Sequence, residues 1–200
     1  MATSVSPHNA RSILRNALIS SALVIGTLAP VAQAAAPAVQ AVPSIDLSRY
    51  QGLWYQIAYY PTVFQKQCVS NTTAEYTTGA KGQITVTNVC KTADGTLSKA
   101  VGAARVKKPG IFSREAANNA KLEVRFAPEA LAWLSAVWAP YWVIQLPDDY
   151  HYAVVGEPSR KYLWILSRTP KLSEADRATI NATLQQQGYD LTKLKEEPQP

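Results

Sequence analysis

Residues that commonly bind metal ions are scarce in this sequence. Its 200 residues include two cysteines, Cys68 and Cys90, and two histidines, of which only His151 lies beyond the N-terminal leader described below. Structural and catalytic metal sites need three or four such ligands. We therefore expect no metal site, and we find no motif that indicates a cofactor.

An uninterrupted hydrophobic run long enough to cross a membrane is also missing. The apolar stretch at 17–34 is broken by Gly26 and Pro30, and so falls short of the ~20 residues that a spanning helix needs. Two arginines precede it, it contains no acid, and it ends in Ala-Gln-Ala. These features predict that residues 1–34 are a cleaved secretory signal, with a membrane-anchoring helix as the alternative. No cysteine lies near the cleavage site, so no lipid anchor is expected.

Strong charge of one sign is absent as well. The formal net charge is +6, and it falls to +4 without residues 1–34, because 18 basic and 14 acidic side chains remain. The basic residues are dispersed among acids except near Lys107 and Lys108, which we interpret as a solvated loop. No nucleic-acid-binding motif is found, so nucleic acid is not an expected partner.

Short runs rich in Val, Thr, Tyr, Ile and Trp recur between Gly, Pro, Asn and Asp clusters, a pattern typical of an all-β sandwich or barrel. Eight strands can close a barrel just wide enough to hold one small ligand. The predicted strands are 52–60, 70–78, 83–91, 97–106, 120–127, 140–146, 151–157 and 162–168.

The two cysteines lie near the far end of a predicted hairpin whose turn is at 79–82. Such a hairpin pairs residues whose numbers sum to about 161, and a modest irregularity would bring Cys68 close to Cys90. An even number of cysteines in a secreted protein favours a disulfide.

The two ends of the domain have different patterns. Residues 35–43 are an Ala/Pro-rich stretch that predicts a disordered spacer before the domain at 44–195. Ser173 is a predicted helix N-cap and Gly188 a helix stop, so one helix should pack on the outside of the barrel. A short ninth strand is expected at 189–194, followed by a tail at 196–200.

Three short motifs resemble those of the lipocalin family. They are Gly52-Leu53-Trp54, Asp148-Asp149-Tyr150, and Arg168 in "ILSRTP". The C-terminal "YLWILSRTP" and "QGYDLTKL" are most similar to the bacterial outer-membrane lipocalins related to apolipoprotein D. The resemblance implies an eight-stranded antiparallel up-and-down barrel with a C-terminal helix outside it. It also implies that the motif residues gather at the closed end, where Arg168 stacks on Trp54. These structural motif residues are Gly52, Trp54, Asp149, Tyr150 and Arg168.

Strand parity and this likeness together predict which residues point into the barrel. The wall is mostly apolar, and a row of small residues on the fourth strand leaves room for a ligand, although a packed barrel without a cavity is the alternative. The predicted ligand-binding residues are Gln56, Ala58, Tyr60, Ala74, Tyr76, Val86, Asn88, Ala104, Leu122, Val124, Phe126, Tyr141, Val143, Val155, Tyr162 and Trp164.

The mouth should carry the loops at 61–69, 92–96, 128–139 and 158–161. The third contains Trp133 and Trp138 among other apolar residues. It predicts either a lip that touches a membrane or a short helix folded over the mouth as extra core.

These patterns favour non-enzymatic binding, transport or storage of fatty acids, lysophospholipids or similar lipids in the bacterial cell envelope. Secretion to the periplasm or beyond is expected, with outer-membrane association left open, as a monomer or a dimer. One alternative is a lipocalin-fold enzyme, since His151 follows Asp148 and Asp149, but no nucleophile elbow or phosphate loop accompanies them. Another is an envelope-stress protein acting at a membrane surface.

Overall fold

The computed structural model describes residues 1–2, 37–79, 83–109 and 116–200. Contacts divide the chain into two units, Met1–Ala34 and Ala35–Pro200, and the second contains all the elements described below. The predicted signal peptide lies outside the described residues, apart from its first two. Within the described ranges, no helix is long and apolar enough to cross a membrane.

Eight antiparallel strands close into a barrel, because β1 pairs with β8 along one edge and with β2 along the other. The predicted fold class is thus confirmed. The strands are β1 (Gly52–Tyr59), β2 (Cys68–Thr78), β3 (Ile84–Thr92), β4 (Leu97–Val106), β5 (Lys121–Arg125), β6 (Ala139–Gln145), β7 (Tyr152–Gly156) and β8 (Trp164–Ser167).

The β2–β3 hairpin carries the predicted disulfide between Cys68 and Cys90, whose Cα atoms are 5.5 Å apart. Its register pairs Thr77 with Thr85, within one residue of the predicted register. Two irregularities in β2 between Cys68 and Thr73 shift the pairing, and this shift brings Cys68 opposite the end of β3.

A ninth strand, β9 (Lys195–Glu196), pairs with the end of β1 beyond the point where the β1–β2 pairing stops at Tyr55 and Thr73. The ninth strand expected at 189–194 is therefore wrong in position, because that stretch forms a 3-10 turn at Leu191–Lys193. The predicted tail instead fills the gap between β1 and β2.

Two helices flank the barrel, α1 (Leu47–Tyr50) before β1 and α2 (Glu174–Gln186) after β8. As predicted, Ser173 caps α2 by accepting a hydrogen bond from the Asp176 amide, and Gly188 ends it with a φ of 76°. Ile180 and Leu184 of α2 are fully buried on the outer face of the barrel, and form a second core there.

Residues 37–43, which were expected to be disordered, are ordered and pack on the domain. Val39 is buried in the second core, and the Val42 amide donates to the Val143 carbonyl at 2.9 Å. The Asn118 side chain donates to the Val42 carbonyl. The Ala/Pro-rich composition predicted disorder wrongly for residues 37–43, because the contacts that order them are made with distant parts of the chain.

Candidate functional site

The closed end of the barrel is built around Trp54, which is fully buried. Its indole nitrogen donates to the Tyr50 carbonyl at 2.8 Å, which joins β1 to α1. Gly52 has a φ of 90°, a conformation that side chains disfavour, and the Arg168 guanidinium lies 3.5 Å from where its Cβ would be. The predicted structural roles of Gly52, Trp54 and Arg168 agree with this geometry.

The 148–151 turn lies at the same end. Its Tyr150 hydroxyl accepts a hydrogen bond from the Asp46 amide at 2.7 Å, and Arg49 lies over the Tyr150 ring. His151 bridges two carboxylates, with Nδ1 2.5 Å from Asp149 and Nε2 3.0 Å from Asp176 of α2. The hydrogen bond between the His151 ring and the Asp149 carboxylate raises the His151 pKa and lowers the Asp149 pKa. This cluster therefore ties the turn to the outer helix.

Three buried tyrosine hydroxyls form a chain above this floor. Tyr141 shares one hydrogen bond with Tyr50 at 2.8 Å and another with Tyr76 at 2.7 Å. Desolvation raises the pKa of Tyr76 to about 12 and raises those of Tyr50 and Tyr141 well above their ordinary value. All three hydroxyls thus stay protonated and uncharged.

Above the tyrosines the barrel encloses a cavity of about 420 Å³. Side chains from seven strands and three loops line it, and both cysteines of the disulfide belong to its wall. The lining residues are Gln56, Phe64, Gln65, Gln67, Cys68, Thr72, Thr73, Ala74, Tyr76, Val86, Asn88, Val89, Cys90, Ser98, Ala100, Val124, Phe126, Val137, Ala139, Pro140, Tyr141, Tyr162, Trp164 and Leu166.

Many of the predicted ligand-binding residues lie together in this wall. They are Gln56, Ala74, Tyr76, Val86, Asn88, Val124, Phe126, Tyr141, Tyr162 and Trp164. Ala104 and Leu122 line instead a small void at the closed end, beside Tyr76 and Tyr141. Val143 and Val155 are fully buried in the inner core and do not line the cavity.

Ala58 and Tyr60 were predicted to face the cavity, and this prediction is wrong. The β1–β8 register shifts between Gln56 and Ala58, so one extra residue reverses the alternation of side chains beyond Gln56. Ala58 and Tyr60 consequently lie in the outer core, where the Tyr60 hydroxyl donates to the Asp190 carbonyl.

A chain of polar side chains crosses one side of the cavity wall. The Trp164 indole donates to Gln65, Gln65 donates to Gln56 at 3.1 Å, and Gln56 donates to Glu197 at 3.3 Å. The buried Glu197 carboxylate also accepts hydrogen bonds from the Thr72 amide and hydroxyl. The C-terminal segment therefore seals the wall between β1 and β2.

The mouth of the cavity is apolar and aromatic. The Phe126 ring packs against Gly102. A Cβ atom at position 102 would be only 2.7 Å from that ring, so the absence of a side chain at Gly102 makes room for Phe126. The Phe64 ring centroid is 5.8 Å from that of Tyr162, and both rings line the cavity and are partly exposed.

The two tryptophans of the mouth loop that follows β5 differ in how far they are exposed to solvent. Trp133 is 80% exposed. Trp138 is half-buried, with the Arg105 guanidinium 3.9 Å from its ring centroid, and its indole donates to the Ala132 carbonyl. Two short 3-10 turns, Glu129–Leu131 and Ser135–Val137, shape this loop, and Val137 lines the cavity. Contact of the loop with a membrane stays a prediction.

Sequence reasoning missed several lining residues from the mouth loops. Phe64, Gln65 and Gln67 come from the loop after β1, and Val137 comes from the loop before β6. The apolar Val63-Phe64 pair within an otherwise polar loop was the available signal, but strand parity says nothing about loop residues.

Residues 45–199 match the profile of the Lipocalin-like domain. The match covers well over half of the sequence, and the closed barrel with its outer helix has the architecture that the motifs implied. The chain therefore belongs to the lipocalin-like family, whose members bind small hydrophobic ligands.

Curated relatives include plant and bacterial proteins. Temperature-induced lipocalin-1 of Arabidopsis thaliana is 34% identical over 161 residues, which cover 80% of this chain and 83% of that protein. Outer membrane lipoprotein Blc of Escherichia coli K12 is 31% identical over 157 residues, covering 78% of this chain and 80% of that one. The predicted likeness to outer-membrane lipocalins is thus confirmed.

Among solved structures, insecticyanin from Manduca sexta superposes with a TM-score of 0.61 at 22% identity. The superposition covers 83% of this chain and 87% of insecticyanin. At this identity the likeness supports the fold alone.

Proposed function

We propose that this protein binds a small hydrophobic molecule in the barrel cavity and carries or stores it without chemical change. The single observation that carries the proposal is the cavity itself. Its volume of about 420 Å³ lies within the range of roughly 300–1,000 Å³ found for ligand sites. Its wall is mostly apolar, with a few polar groups that could orient a ligand.

Binding is favoured over catalysis by where the titratable groups lie. His151, Asp149 and Asp176 form their cluster at the closed end, and none of them lines the cavity. A hydrolytic site needs its base and nucleophile to converge on the cleft that holds the substrate. The cluster is better explained as a link between the turn and α2.

The cell envelope is the proposed location. The leader at 1–34 has the features of a secretory signal, and the disulfide is of the kind that persists in oxidising compartments. The similarity to Blc, which is named as an outer membrane lipoprotein, supports the same location.

Native mass spectrometry of the protein purified from its own host tests the proposal. We expect a folded species whose excess mass disappears on collisional activation and matches a lipid in the organic extract. A protein that carries no extra mass and also fails to bind any lipid added in excess would contradict the proposal.

A second candidate function is action at a membrane surface, and the exposure of Trp133 at the cavity mouth favours it. Tryptophan side chains prefer the membrane interface. If the mouth docks on lipid, Trp133→Ser should weaken co-sedimentation with anionic vesicles. Val101→Ser, at an exposed apolar residue in the middle of β4, serves as a control and should not weaken it. Equal sedimentation of wild type and Trp133→Ser would exclude this role for the loop.

A further inference from the structure

The described residues that line the cavity include no charged side chain. Their polar groups are amides, hydroxyls and one indole. An ionised carboxylate or phosphate that leaves water needs an opposite charge or several hydrogen-bond donors, because the uncompensated cost of burying an ion is large. This wall offers no cation with which an anionic head group could pair.

Asn88 supplies a free hydrogen-bond acceptor in that wall. It lies on β3 opposite Ala74 and Ala100, whose small side chains leave the Asn88 amide room to turn toward the cavity that the residue lines. Its Oδ1 atom is buried and has no hydrogen-bond partner. A buried acceptor without a donor is destabilising, and a ligand that brings a donor removes this penalty.

The remaining polar groups are either engaged or weak partners for an anion. The Gln65 side chain donates to Gln56, and the Gln56 side chain donates to Glu197, so both amides are already engaged. The tyrosine chain uses two of its three hydroxyl protons internally, so one O–H is left for a ligand. Together with the Asn88 amide nitrogen and the Thr73 and Ser98 hydroxyls, the wall offers neutral donors but no cation, which suits a hydroxyl or carbonyl oxygen better than an ionised carboxylate.

We infer that the cavity selects an uncharged lipid that carries a hydroxyl group, such as a monoacylglycerol or a fatty alcohol, whose O–H donates to Asn88 Oδ1. This inference rests on the proposed function and narrows the class of ligand, because ionised fatty acids would not be among the preferred ligands.

A fatty acid could also bind with its carboxylate at the mouth. The aromatic rim there is formed by Phe64, Phe126 and Tyr162. The exposed Lys66 and Lys161 adjoin lining residues in the same mouth loops, so a carboxylate at the rim would stay close to water and to cations. In that orientation the Asn88 side chain would face methylene groups and would stay unpaired. The two orientations therefore differ in how affinity depends on Asn88.

Displacement of the uncharged fluorescent probe N-phenyl-1-naphthylamine tests the inference with three ligands of equal chain length. At pH 8 we expect 1-monolaurin to bind roughly tenfold or more tightly than laurate, which is ionised. Methyl laurate, which has the ester but no hydroxyl, should bind less tightly than 1-monolaurin.

Asn88→Leu should lower the affinity for 1-monolaurin by roughly tenfold and leave that for methyl laurate unchanged. Thr87→Leu, at the neighbouring position of β3 that does not line the cavity, is the matched control and should change neither. Should Asn88→Leu not fold, the pH dependence of the wild type remains decisive. Laurate should bind more tightly as pH falls from 8 to 5 and its carboxyl becomes protonated, while 1-monolaurin binding should stay constant.

Laurate binding at pH 8 as tight as 1-monolaurin, or unchanged 1-monolaurin affinity in folded Asn88→Leu, would overturn this inference and leave the proposed function standing. Failure of the wild type to bind the probe and all three lipids would overturn the proposed function, and this inference with it.

Discussion

Arg168 lies over the indole of Trp54, with its guanidinium carbon 3.7 Å from the ring centroid. Its two Nη groups donate to the backbone carbonyls of Leu53, at 2.9 Å, and Arg49, at 2.7 Å. One side chain thus joins the end of β8 to β1 and to α1, across the floor of the barrel. The planar fork of arginine makes both hydrogen bonds while it covers the ring, which lysine cannot do.

Arg168→Lys should therefore lower the free energy of unfolding by about 1–3 kcal/mol, because at least one carbonyl loses its donor. Urea denaturation followed by fluorescence measures this change. Arg177→Lys is the control, since Arg177 pairs with an exposed carboxylate of Glu196, and we expect it to cost less than about 1 kcal/mol. Equal effects of the two substitutions would show that the stacked geometry adds nothing.

Trp54→Ala should cost about 3–5 kcal/mol, because it leaves a large void in the floor. Trp133→Ala, at an exposed tryptophan, should change stability by less than about 0.5 kcal/mol. Thermal and chemical denaturation compare the two variants. A Trp54→Ala protein with wild-type stability and no ligand binding would instead place Trp54 in the binding site.

The His151 bridge should make the attachment of α2 depend on pH. Because the folded-state His151 pKa is raised, its contribution is full below the unfolded value of about 6.5 and is lost as pH rises through the folded value. The lowered pKa values of Asp149 and Asp176 mean that their contribution is lost instead as pH falls below about 4.

The stability difference between wild type and His151→Gln should accordingly be larger at pH 5.5 than at pH 9, although small, since the His151 side chain is 41% exposed. An NMR titration of the His151 ring should give a pKa above 6.5. A value at or below 6.5 would be inconsistent with the bridge.

The Cys68–Cys90 disulfide should protect both thiols from alkylation in the unreduced protein. Replacing both cysteines by alanine should cost about 3 kcal/mol, as expected for a loop closed over a sequence separation of 22. Because both cysteines line the cavity, the variant should also bind ligand less well. Labelling of either thiol in the folded, unreduced protein would contradict the pairing.

Local signals in the sequence were sufficient for most of the fold. Alternation of apolar residues located the strands, and Ser173 and Gly188 bounded the outer helix, because these patterns depend on neighbours in the chain. Parity placed Tyr76, Asn88 and Trp164 in the cavity wall for the same reason.

Other features depend on contacts between distant residues and could not be predicted this way. The bulge after Gln56 turns Ala58 and Tyr60 away from the cavity, and the local sequence contains no signal that predicts this bulge. The 195–199 segment seals the barrel because Glu197 accepts hydrogen bonds from Thr72 and Gln56, which lie more than a hundred positions away in the sequence. A polar C-terminal stretch gives no local sign of such a role.

The affinity of Ala100→Trp for N-phenyl-1-naphthylamine tests the binding function of the cavity most directly. Ala100 faces the open cavity, so an indole there should occupy ligand space, lower the affinity at least roughly tenfold and leave the melting temperature near that of wild type. Ala104→Trp is the matched control, because Ala104 is buried at the closed end beside a void too small for an indole, where overpacking should cost about 1–3 kcal/mol. A folded Ala100→Trp protein that binds the probe with wild-type affinity would contradict binding within the barrel.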